Sequence, residues 1–151
     1  MKARALRQQN GETGTALVEF SITVVVMLIL LFGVVDVGRA AFAYDWVSNA
    51  ARQGARYAIV RGAFCQAIVP GCPANQAAVQ NYVTTNAPGI KTTDVTVNTH
   101  CIVSGTSFGL LPCAPGTTVY VQVQYSFSFI TPFLSQLHWV MSSSSEMVDM
   151  Q

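Results

Sequence analysis

Charge is scarce in this sequence. Seven acidic and eight basic residues make up 10% of 151, against 51% hydrophobic, and mean hydropathy is +0.40. So little charge departs from ordinary soluble composition and directs attention to a membrane. With a net charge of +1 and arginines scattered instead of interleaved with aromatics, the chain has no electrostatic footprint for nucleic acid. Catalytic signatures are missing too. No Gly-x-Ser-x-Gly elbow exposes a serine, no glycine-rich loop offers to hold a phosphate, and the serine run Ser142 to Ser145 reads as polar edge or loop. His100 and His138 have no third ligand at metal spacing, and two of the seven carboxylates flank an apolar run, which argues against a paired acid and base. The expectation is a non-enzymatic chain without metal or cofactor.

What the chain does have is a long apolar run. Phe20 to Val35 carries no charge, and Thr15 to Val37 contains only Glu19 and Asp36. About 20 helical residues cross a hydrocarbon core of roughly 30 Å. The run is rich in Val and Ile, yet a lone strand in lipid would leave its backbone groups unpaired, so a single transmembrane helix over 15–37 is expected. Lys2, Arg4 and Arg7 precede it and favour a cytoplasmic N-terminus, although Arg39, Arg52 and Arg56 follow closely.

Cysteine usage supports the same orientation. Cys65, Cys72, Cys101 and Cys113 all follow the span and form no C-x-x-C pair, which reads as two disulfides in an oxidising compartment. Of the three possible connectivities, Cys65 with Cys72 and Cys101 with Cys113 is favoured because each pair closes a short loop.

Past the membrane run, 38–62 continues in helical pattern without proline, stopping near Gly62. Val37, Ala41, Tyr44, Val47 or Ser48, Ala51, Ala55 and Ala58 recur every three or four residues, with Asp45, Asn49, Arg52, Gln53 and Arg56 off the stripe. Its small side chains suit close approach, either of a partner helix or of the chain's own sheet. Asp36 and Arg39, at i and i+3, are placed to pair where the helix leaves lipid. A short helix is expected over Asn75 to Thr85, ended by Pro88-Gly89. The period then becomes two. Val95 to Val103 and Thr117 to Ile130 read as two strands of an antiparallel hairpin, with HWVMSSSSEMVDM after Pro132 as a third, edge strand.

Gly14 followed by Thr15-Ala-Leu-Val-Glu19-Phe20 resembles a type IV prepilin signal, in which cleavage after Gly14 makes Glu19 the fifth mature residue. The longer order of motifs is ALVEF, then Gly33, Asp36, Gly38 and Arg39, then Ala51-Arg52-Gln53-Gly54-Ala55-Arg56. This order resembles the TadE-like family of pilin-like proteins from tight-adherence pilus systems. The resemblance implies an α+β, pilin-like fold: a long N-terminal transmembrane helix continuing into a small domain with a short helix and a 2–3 stranded antiparallel sheet. In this reading 1–14 is a basic leader open to cleavage and 63–151 a disulfide-bonded extracytoplasmic domain. The implied protein is a minor pilin or pseudopilin of the bacterial inner membrane, its C-terminal domain periplasmic or incorporated in a pilus. Its partners would be the lipid bilayer, other pilin-like subunits, the assembly machinery and a prepilin peptidase. Gly14, Thr15, Glu19 and Phe20 would serve processing and assembly, and Asp36, Arg39, Ala51, Arg52 and Arg56 a helix interface. A new α-amine on Thr15 would be positive at neutral pH and could pair with a neighbouring subunit's Glu19.

Two competing classes stand beside this one. A secreted disulfide-bonded binding domain could use Ala41-Phe42-Ala43 as a signal-peptide site, but Asp36 and Arg39 would lie between that site and the apolar run. A membrane-tethered protein unrelated to pili, as an enzyme, ranks last because no nucleophile, metal or phosphate-binding motif appears.

Overall fold

In the computed structural model, residues 9–63, 65, 72–131 and 136–149 are described. The first helix, α1, runs Gln9–Val60, 52 residues, or about 78 Å at 1.5 Å per residue. It begins earlier than the expected Thr15, since Gly11 and Gly14 lower helix propensity without breaking the backbone ladder. The first proline is Pro70, so nothing in the sequence interrupts it. The second helix, α2, runs Gln76–Thr85, and the Asn75 side chain caps it by accepting from the Ala78 N–H at 2.8 Å.

Four strands follow: β1 Val95–Val103, β2 Thr106–Phe108, β3 Thr118–Ser128 and β4 His138–Val148. They form one antiparallel sheet in the order β2-β1-β3-β4. The expected count of two or three strands is therefore corrected to four. The extra strand comes from a two-residue turn in which Ser104 and Gly105 both have positive φ (50° and 81°), folding the chain back onto the outer edge of β1. β4 is the edge strand as expected, paired with β3 along its whole length.

Alternation along β3 decides how the layers stack. Val119, Val121, Val123, Tyr125 and Phe127 are buried, while Tyr120, Gln122 and Gln124 lie on the opposite face. The second half of α1 lies on the inner face across β3 and β4, and α2 lies on β1. Ala43, Val47, Ala50, Ala51, Ala55 and Ala58 supply the helix side of the core. Gly54 marks the closest approach: a Cβ there would stand 3.2 Å from Val121 and 3.4 Å from Val79 and Val83. The small-residue stripe thus packs on the chain's own sheet. Its first three expected members are corrected: Val37, Ala41 and Tyr44 are exposed, and Asp36 and Ala43 are buried in their place, with Ala40 half-buried.

Both favoured disulfides are present, Cys65–Cys72 and Cys101–Cys113. The second ties β1 to the loop before β3.

Candidate functional site

Along α1 the environment changes at one residue. From Gly14 to Val35 the helix is almost wholly exposed, including Leu17, Phe20, Ile22, Met27, Leu30 and Val34. It is long and apolar enough to cross a membrane, and none of its most apolar window is covered by the rest of the protein. From Asp36 onward one face is buried.

The motif residues Gly14, Thr15, Glu19 and Phe20 all lie on the exposed portion. Gly14 has open space around it, so a side chain there would meet nothing. Glu19 is exposed, with Thr15 and Thr23 one turn away on either side and apolar residues over most of the remaining surface. Its backbone carbonyl accepts from the Thr23 hydroxyl at 2.8 Å, an ordinary i to i+4 bond within the helix.

Asp36 is buried, 3% exposed, and its carboxylate closes the junction between helix and sheet. It accepts from the Ile130 N–H at 3.1 and 3.2 Å on its two oxygens, from the Thr131 N–H at 3.0 Å and from the Thr131 hydroxyl. Arg39 Nη1 donates to it at 3.1 Å and also lies 3.4 Å from the Ser128 carbonyl, with its guanidinium 5.2 Å from the centre of the Phe127 ring. A buried carboxylate is tolerable only when its acceptor positions are filled, and here backbone, hydroxyl and guanidinium all contribute. The expected Asp36–Arg39 pair is therefore one part of a clamp that fastens the end of β3 to the helix. Ile130 and Thr131 are 94 and 95 positions from Asp36 in sequence, and no periodicity links residues so far apart.

The remaining residues expected at a helix interface separate. Ala51 is fully buried in the chain's own core; Arg52 and Arg56 are exposed, and Arg52 Nε donates to the Ser48 carbonyl of the preceding turn at 3.2 Å. Glu19 and Asp36, seventeen residues apart, stand about 25 Å from each other along the axis. They cannot act at one point. Among the described residues no three His, Cys, Asp or Glu side chains are grouped to hold a metal ion.

A helix that is bare and apolar in its first half and becomes the central packing element of a small disulfide-bonded α+β domain in its second defines the class of protein. Residues 14–56, somewhat under a third of the chain, match the family model described as TadE-like protein. The segment that carries the ALVEF motif, the clamp carboxylate and the alanine-rich face is thus the TadE-like part of the chain. No curated protein and no solved structure matches the chain.

Proposed function

We propose that this protein is a non-catalytic minor pilin or pseudopilin, anchored in the bacterial inner membrane by 15–37, with its disulfide-bonded domain on the periplasmic side, acting in assembly or function of a tight-adherence pilus. The observation that carries the reading is the coincidence of the TadE-like match over 14–56 with a helix that is bare and apolar up to Val35. Such a surface requires lipid or the helices of other pilin-like subunits. Two disulfides accord with an oxidising compartment for the domain. The secreted alternative is disfavoured because cleavage after Ala43 would remove Asp36, Arg39 and the buried Ala43 from the domain they hold together.

In this reading a prepilin peptidase cuts after Gly14, and the α-amine of Thr15 on one subunit meets Glu19 on the next as helices pack in the membrane. Burial in lipid strengthens that attraction. N-terminal sequencing of protein recovered from membranes tests it: a start at Thr15 is expected, whereas a start at Tyr44 would sink the anchored reading. Glu19→Ala should abolish processing or assembly while membrane insertion persists; unchanged processing and assembly would remove Glu19 from the mechanism.

A further inference from the structure

The clamp borders an apolar groove that neither the helix nor the sheet fills. About 480 Å³ in size, it is lined on the helix side by Gly33, Ala40 and Ala41 and on the sheet side by Phe129, Trp139 and Met141. Val37 and Tyr44 line its rim on the helix, and between them Ala40 and Ala41 offer only small side chains opposite Trp139 and Met141. Trp139 shows the consequence. It sits directly across from Phe127 in the β3–β4 ladder, on the helix-facing side of the sheet, yet is 58% exposed while Phe127 is 1% exposed. Ile130, Leu137, Val37 and Tyr44 are exposed at the same end. Asp36 and Thr131 also border the groove, but they hydrogen-bond to each other.

We infer that this end of the domain is seated in the membrane interface, with the groove occupied by lipid acyl chain and Trp139 at headgroup depth. The inference rests on the anchored reading and extends it from the helix to the sheet. Its main support is continuity. Gly33 and Val37 line the groove and also belong to the apolar run, so a bilayer that covers the run reaches the groove's lower end. Depth agrees: 15–35 spans about 31 Å, close to the roughly 30 Å hydrocarbon core, which sets Asp36 at its edge and Ala40, about 6 Å further along, in the headgroup layer. Tryptophan is the side chain most at home there, with an apolar ring and one polar N–H. The apolar exposure is interrupted along the middle of β4. Further along β4 the outward positions are Ser142, Ser144 and Glu146. A surface this apolar, beside a membrane span, is better covered by lipid than by water.

The test uses the full chain in vesicles of phosphatidylcholine and phosphatidylglycerol, some carrying lipid brominated near the headgroup and others lipid brominated near the methyl end. The chain has two tryptophans, so Trp46→Phe leaves Trp139 as sole reporter and Trp139→Phe leaves Trp46. Loss of most Trp139 emission with the shallow-brominated lipid, weaker loss with the deep one, and little change for Trp46 are expected. Leu28→Trp, placed on a chain lacking both native tryptophans, reports the anchor. If it is quenched and Trp139 is not, the groove inference falls and the anchored reading stands; if neither is quenched, both fall. Stronger quenching of Trp139 by the deep lipid overturns the interfacial placement. Shielding of Trp139 from acrylamide without lipid quenching, increasing with protein density in the vesicle, would assign the groove to a second copy and overturn the inference. The wild-type chain, measured in parallel, must show the combined response of its two tryptophans, which guards against a folding defect in either variant.

Discussion

Asp36 is the residue on which the junction depends. Its carboxylate collects two backbone N–H groups, a hydroxyl and a guanidinium, so exchanging one oxygen for an amide turns an acceptor into a donor that faces donors. Asp36→Asn should lower unfolding free energy by about 2–3 kcal/mol, the range for hydrogen bonds to a charged group. Thermal unfolding in detergent would measure it. The opposite sign is expected at Thr99, which is buried in the middle of β1 with its hydroxyl lacking a hydrogen-bond partner among the described residues. Thr99→Val removes that unsatisfied group at nearly constant shape and should stabilise by about 1 kcal/mol. Gly62 presents a steric limit instead: a Cβ there would collide with the buried Asp149 carboxylate, which accounts for glycine where the chain leaves α1.

Among the elements, β1 depends on support from an unexpected source. β2 pairs only with its last residues, Cys101 to Val103, leaving the outer edge of β1 near Val95 and Val97 without a strand neighbour. Two glutamines of α2 take that place. Gln76 Nε2 donates to the Val97 carbonyl at 3.0 Å, while Gln80 donates to the Val95 carbonyl at 3.1 Å and accepts from the Val97 N–H at 3.3 Å. They cover an edge that would otherwise offer itself to another chain. Gln80→Leu leaves both backbone groups in a half-buried site without partners and should cost about 1–3 kcal/mol. Faster amide exchange at Val97 than at the β3-facing positions of β1 would identify the cause. In α1, the displaced stripe has a geometric origin. Counted back from Ala58, spacings averaging 3.5 residues arrive at Val37 after six turns, but a straight helix of about 3.6 residues per turn arrives at Asp36.

At the scale of the whole molecule, one helix has a bare apolar half and a packed half, and the small domain has to keep the packed half in register. Its core on the helix side is mostly alanine, which buries little area per residue, so cross-links contribute a substantial share of stability. Replacing Cys101 and Cys113 together with serine should lower stability by about 2–3 kcal/mol, as expected for a loop of this length. Chemical denaturation of the variant against the oxidised parent would show it.

Much of this architecture was legible in the residues. The apolar run, the proline-free helix, the strict alternation along β3 and the two short cysteine loops are local patterns, and local patterns follow from helix and strand geometry and from the length of chain between partners. The short strand β2 has a local turn signal too, Ser104-Gly105 between Val103 and Thr106, but its three residues are too few to show an alternation. Other features had no local signal. Only the folded chain decides that the carboxylate at 36 meets the backbone at 130 and 131, that glutamines finish a strand edge, and that Ala40 and Ala41 opposite Trp139 and Met141 leave a groove. Each depends on how separate elements dock. Docking is settled by burial and hydrogen bonding between residues far apart in sequence, which no spacing along the chain records.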